Sequence, residues 1–286
     1  VPSSSSSSAQ RARQALAGQL REIRQSAGLT AKELAQRAGW HGNSKVSKIE
    51  HGTRPASAED VQTWCNICGV SEQRTEELLA EQRSVAGMWV TYQQLNRAGL
   101  KQAQRSVRPI YERASVIRAY QSRTFPGLIQ TAAFTTTTLQ QVRLRQGVHI
   151  DDVAAAVAER MNRQRVLREG NRRFVFILEE AVLHYRLTGP AAHAEQLGHL
   201  LEVMKLPAVS LGIIPLDADR VQARPAEGFA IFDHEQVSVE LISGYLKLMQ
   251  PNEVEAYVRV FTGLADAAVY GQAARALIAN ALAALV

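Results

Sequence analysis

From Gly42 to Lys48 the chain reads Gly-Asn-Ser-Lys-Val-Ser-Lys, with Ile49 next. Short polar side chains at the start of a helix can enter the major groove of duplex DNA without steric conflict and hydrogen-bond base edges. Asn43, Ser44, Lys45 and Ser47 have those side chains at that spacing, while Val46 and Ile49 would anchor the helix inward. On either side stand residues suited to phosphate: Thr30 and Lys32 at the start of the preceding helix, Lys48 and Arg54 towards the end of this one. The positive ends of both helix dipoles add to that attraction. The chemistry expected is recognition, not bond-making.

Other chemistry-bearing residues read as structural. Cys65-x-x-Cys68 lies inside a helical pattern, where the two thiols share one face and pack; thioredoxin-like redox chemistry expects the motif at a helix start after a strand, and structural zinc needs four ligands. His193 and His199 are six apart on one helix, a poor spacing for a shared metal, and read as surface residues. Arg160, Arg163, Arg165, Arg168, Arg172 and Arg173 form a cationic band with Glu159 and Glu169 interspersed, read as a solvated face with local ion pairs. No Gly-x-Ser-x-Gly elbow, Walker-type loop, Gly-x-Gly-x-x-Gly or His-Glu-x-x-His occurs. The expectation is therefore a non-enzyme with no cofactor and no metal.

The elements that would hold the recognition residues are short helices over residues 10–83. Leu16, Leu20 and Ile23 give the first helix one apolar face, and Gly28 ends it. Thr30 with Glu33 makes a capping box for the second, which buries Leu34, Ala35 and Ala38 and stops at Gly39. The third carries the candidate base contacts and closes at Gly52; Ser57 caps a fourth through Val61, Trp64 and Cys68, and Ser71 a fifth. A short helix, a turn and a second short helix with small polar residues at its start make a helix-turn-helix.

Charge follows the same division. The 286 residues carry 33 Lys+Arg and 27 Asp+Glu, a formal net charge of +6. Residues 11–54 hold nine of the basic residues and three of the acidic ones, the whole surplus. A basic module on a neutral body is the charge pattern of a nucleic-acid binder with a second, non-DNA domain. A hydrophobic content of 46% excludes collagen-like and fully disordered classes, and no apolar stretch approaches the ~18–20 residues of a membrane helix. Val1-Pro2 and the serines after it lack the pattern of a signal peptide and read as a disordered leader over 1–9; with two cysteines, the expected compartment is the cytoplasm.

After a connector at 84–105, residues 106–286 read as a second domain. Strand candidates are Val116–Tyr120, Phe174–Leu178, Val209–Ile214, Gly228–Phe232 and Val237–Ile242; helices are expected near 128–143, 151–169, 190–206, 252–268 and 272–286. That is an α+β domain with a small, mainly antiparallel sheet. The apolar face of the last helix (Leu277, Ile278, Ala281, Leu282, Leu285) fits either a core or a dimer seam.

Two stretches resemble known families. Leu20 to Ser57, "LREIRQSAGLTAKELAQRAGWHGNSKVSKIEHGTRPAS", is similar to the helix-turn-helix of the lambda-repressor/Cro class in its xenobiotic-response-element-type branch. That likeness implies an all-α five-helix DNA-binding domain and a structural salt bridge between Arg24 and Glu50. The chain departs at Ala31, where the class places a phosphate-contacting Gln, and its turn Trp40-His41-Gly42 is one residue longer. "FPGLIQT" (Phe125 to Thr131), "LPAVSLGIIP", "EGFAIF" and "VSVEL" resemble the C-terminal domain of actinobacterial WhiJ-like regulators, often encoded beside a small BldB-like partner in toxin–antitoxin-like pairs. The combined resemblance implies a transcriptional regulator of double-stranded DNA, a homodimer on an inverted repeat, controlled by a small partner protein. Two alternatives remain open: an antitoxin-like protein that sequesters its partner and autoregulates, and a regulator that senses a small molecule.

Overall fold

A computed structural model describes residues 8–221, 223–242 and 244–285. The chain divides into two units, Val1–Val90 and Thr91–Val286. The first seven residues of the expected leader lie outside the described residues, and its last two, Ser8 and Ala9, begin the first helix.

The first unit is five helices: α1 (Ser8–Ser26), α2 (Ala31–Arg37), α3 (Ser44–Glu50), α4 (Ala58–Cys68) and α5 (Glu72–Met88). At seven residues each, α2 and α3 are too short to persist alone. Packing and capping hold them. Leu16 and Leu20 of α1, Leu34 of α2, Val46 and Ile49 of α3, Val61 and Trp64 of α4 and Leu78 of α5 meet in one core, each contributing about 1.5–3 kcal/mol on burial. The Trp64 indole, fully buried, donates to the Leu20 carbonyl at 2.9 Å and so ties α4 to α1. Gly28 and Gly39 adopt left-handed φ of 69° and 68° directly after α1 and α2, where a side chain would strain the stop.

The second unit is a mixed sheet covered on both faces. Strand β1 (Trp89–Thr91) runs across the division of the chain, followed by α6 (Tyr92–Leu95), α7 (Leu100–Ser106), α8 (Arg108–Arg113), β2 (Val116–Gln121), α9 (Ala132–Arg145) and α10 (Val153–Arg163). Then come β3 (Arg173–Glu179), α11 (Ala181–His184), α12 (Pro190–Val203), β4 (Val209–Ile214), β5 (Phe229–Phe232), β6 (Gln236–Glu240), β7 (Gly244–Leu248), α13 (Pro251–Asp266) and α14 (Gly271–Ala283). The sheet has seven strands in the order β1-β7-β6-β5-β2-β3-β4. Phe174, Phe176 and Leu178 of β3 point into a core with α12 and α14. Ile177 joins the opposite core, with Phe261 and Leu264 of α13. Burial on both faces is why β3 reads as an unbroken apolar run.

The sheet corrects the expectation of a small, mainly antiparallel one. Strands β2, β3 and β4 are parallel, with Ala119 opposite Phe176 and Phe176 opposite Leu211. Helices α9 and α10 lie between β2 and β3, and α11 and α12 between β3 and β4, which supplies the long crossovers parallel pairing requires. Strands β5, β6 and β7, joined by short connections, add antiparallel neighbours. Three other readings change. The last helix is core within its own unit, since Ala274, Ile278 and Ala281 are buried there. His193 is no surface residue: it is fully buried with Nε2 2.8 Å from the Leu183 carbonyl oxygen, and His199 is half-buried, its pKa lowered by that burial. The arginine band also divides, because Arg163 turns inward while Arg165 and Arg168 stay exposed.

Candidate nucleic-acid interface

The first unit presents the start of α3 on a frame that cannot easily move. At the end of α1, the Arg24 guanidinium grips Glu50, the last residue of α3, with both arms: Nε to Oε1 at 2.6 Å and Nη2 to Oε2 at 2.9 Å. Its Nη1 donates to the Leu29 carbonyl in the α1–α2 loop at 2.6 Å. Three segments therefore converge on one buried guanidinium, whose pKa is raised chiefly by the Glu50 hydrogen bond. Two-armed geometry fixes direction as well as distance.

Thr30 and Glu33 cap α2 reciprocally. The Glu33 amide donates to Thr30 Oγ1 at 3.2 Å, while the Thr30 amide and hydroxyl both donate to Glu33 Oε2 at 2.7 Å. These bonds hold the Glu33 carboxyl below the usual carboxylate range and occupy the Thr30 hydroxyl. Of the two residues expected to meet phosphate at this helix start, Thr30 has its hydroxyl engaged and Lys32 is exposed. Ala31 is half-buried against the helical core.

At α3 the recognition residues separate into two groups. Asn43 is the N-cap, yet its side chain makes no capping bond and is exposed, as are Ser44 and Ser47. Lys45 is drawn back instead. Its ammonium pairs with Asp60 of α4 and lies 4.0 Å from the centroid of the Trp40 ring. Burial pushes the Asp60 carboxyl up, but hydrogen bonds from Lys45 and Ser57 outweigh it and leave the net shift downward. Trp40, Lys45 and Asp60 thus brace the α2–α3 turn against α4. Beyond the helix, Lys48 and Arg54 are exposed, and among the described residues no carboxylate pairs with Lys32, Lys48 or Arg54.

Sequence reasoning passed over His51. It is exposed one turn after Ser47, with Nδ1 2.7 Å from the Ser47 carbonyl and 3.4 Å from its hydroxyl; its spacing of four from Ser47 is the signal that could have found it. Cys65 and Cys68 pack in this unit with free thiols pushed upward by burial, the opposite of an activated thiolate. Among the described residues no group of His, Cys, Asp and Glu could hold a metal ion, and no helix is long and apolar enough to cross a membrane.

Comparison with known proteins divides the chain in a similar way. Residues 15–78 match a helix-turn-helix domain, so the frame around α2 and α3 is a helix-turn-helix by family as well as by geometry. No curated protein matches the chain. A solved structure of TrmBL2, an archaeal chromatin protein described as showing a novel mode of DNA binding, aligns over 85% of this chain and 88% of that one at 12% identity. Its TM-score of 0.31 is too low to carry an argument. Residues 104–280, more than half of the chain, match a domain of unknown function, DUF5753. The chain belongs to the DUF5753 family, with a helix-turn-helix domain ahead of the domain that defines it.

Proposed function

We propose that this protein is a non-catalytic, cytoplasmic transcriptional regulator that binds double-stranded DNA through its helix-turn-helix. One observation carries the reading: the recognition helix is clamped at its C-terminal end by Arg24 and Glu50 while Asn43, Ser44 and Ser47 stay exposed along it. Those three read base edges. Lys45 contributes less, being held by Asp60 and Trp40. Lys32, Lys48 and Arg54 contact phosphates, with Thr30 positioning the start of α2. A single recognition helix reads only a few base pairs, so selectivity requires a homodimer on two half-sites about 34 Å apart.

The resemblance of residues 90–286 to WhiJ-like regulators supports control of this binding through the C-terminal unit by a small BldB-like partner protein. The test is binding of the purified protein to its own upstream DNA at two salt concentrations, with and without the product of the adjacent gene. Salt-sensitive, sequence-selective binding that the product alters is the expected result. Selective binding indifferent to the product removes the partner and leaves the regulator; absence of selective binding overturns the reading.

A further inference from the structure

The second unit buries a pair of cations that DNA recognition does not use. Arg163, at the end of α10, is 5% exposed, and Arg160, one turn earlier, is half-buried. Arg160 donates from Nε to Gln104 Oε1 at 3.0 Å and from Nη1 to Gln130 Oε1 at 2.7 Å. Arg163 donates from Nη1 to the Gln104 carbonyl at 3.2 Å and from Nη2 to Gln104 Oε1 at 3.3 Å. Its guanidinium carbon lies 5.0 Å from the centroid of the Tyr111 ring. The Gln104 amide oxygen therefore accepts from two guanidiniums at once, a neutral group where a carboxylate would be expected.

Among the described residues no carboxylate pairs with either arginine. Glu159 faces them, with Oε1 held by Arg105 at 2.7 Å and Oε2 buried without a hydrogen-bond partner, and Glu240 accepts the Tyr92 hydroxyl at 3.0 Å. Arg163 Nε is buried with no hydrogen-bond partner. Burial, then the charge of Arg163, pulls the Arg160 pKa down to about 10, and burial lowers that of Arg163 as well. Both stay charged at neutral pH. Desolvating two like charges together is costly unless a counter-charge answers them.

The surrounding backbone is arranged about this pair. Gln164 donates to the carbonyls of Gly127 and Gln130 at 3.2 and 2.7 Å, pinning the Phe-Pro-Gly-Leu-Ile-Gln-Thr segment there. A Cβ at Gly127 would come within 3.5 Å of Arg163 Nη2 and 3.6 Å of Arg160 Cδ.

We propose that Arg160 and Arg163 form a binding site for an oxyanion, a phosphate or carboxylate carried by a small molecule, with Gln104 and Gln130 orienting the guanidiniums and the unpaired Arg163 Nε among the donors offered to it. That such an anion acts as an effector rests on the regulator reading; its binding does not, and is measured without DNA.

The experiment is calorimetric titration of the full-length protein with inorganic phosphate and, separately, with acetate, at fixed ionic strength. One saturable site per chain for at least one of them is expected, and which anion binds more tightly identifies the group. Arg163→Gln should weaken that binding at least about tenfold. Because loss of a buried guanidinium also threatens folding, Gln104→Glu provides the second test by placing a carboxylate between the guanidiniums. It should abolish anion binding and raise the unit's Tm by about 2–4 °C. No saturable binding of either anion, or unchanged binding in Gln104→Glu with no rise in Tm, overturns the inference. Wild-type protein that binds its DNA but neither anion refutes this site alone, while protein that binds an anion but no DNA refutes only the regulator reading.

Discussion

Arg24 and Arg163 are buried to nearly the same depth, 9% and 5% exposed, and are answered in opposite ways. Arg24 meets both oxygens of Glu50, whereas Arg163 meets two oxygens of a glutamine and an aromatic ring. The contrast extends to the surfaces. Around α3 the exposed cations Lys32, Lys48 and Arg54 have no carboxylate partner among the described residues, while the covered Lys45 has Asp60. In the second unit exposed Arg105 is paired with Glu159, and exposed Arg165 and half-buried Arg108 both with Glu112. Around α3 the interior charge is closed and the surface cations are open; around α7 to α10 the reverse holds. An unanswered cation costs free energy where it is desolvated, which is the argument for a compact anion at Arg163; the exposed cations carry no such cost, and their place around α3 is what points to a polyanion.

The largest effect tests the closed interior. Arg24→Ala strands Glu50, and breaking a buried pair from one side costs about 3–5 kcal/mol. Denaturant unfolding followed by the fluorescence of buried Trp64 should show that loss in the first unit. A loss under about 1 kcal/mol would place Arg24 with ordinary surface pairs and break the comparison at its root. Next in size is the open surface: Asn43→Ala should cost about 1–3 kcal/mol on the preferred DNA and relax selection at one base position, measured by competition against single-base variants. Equal weakening on every sequence would reassign Asn43 to a phosphate.

Legibility in the sequence followed the range of the interaction. The five short helices of the first unit stood out because their signals are local: Thr30 with Glu33, Ser57, and glycines at Gly28 and Gly39 lie within a few residues of what they stop or start. Strands β2 to β6 were legible as apolar runs, but their directions were not, since pairing β2 with β3 joins residues more than fifty positions apart. The pairing of Lys45 was hidden for the same reason. Its exposed-looking pattern gave no sign of Asp60, fifteen residues on, approaching from α4. Arg160 and Arg163 read as a solvated band because helical spacing shows which residues share a face but not what covers it.

Lys45 and Asp60 bring pH into the comparison. The Asp60 carboxyl lies below its ordinary value in the folded state, so its contribution is present above the unfolded value and is lost as pH falls through the folded one. The first unit should therefore lose part of its stability as pH falls below the ordinary aspartate value of about 4. Lys45→Ala should flatten that acid-side loss and leave base preference unchanged. If it relaxes selection at one base position instead, Lys45 leaves Asp60 on DNA and joins the reading set.

The smallest effect separates an open charge from a closed one on the surface itself. Each phosphate neutralised on duplex DNA releases counterions, so the plot of log affinity against log salt steepens by about 0.9 per contact. Exposed and unpaired, Lys48 should give up that amount when replaced by alanine, with sequence preference intact. Arg105 is also exposed, but Glu159 holds it at 2.7 Å. Arg105→Ala should leave the slope where it was. Equal slopes for wild type and Lys48→Ala would show that an unpaired surface cation is not enough to mark the path of the phosphate backbone. A reduced slope for Arg105→Ala would extend the DNA contact into the second unit, and the division of labour between the units would have to be redrawn.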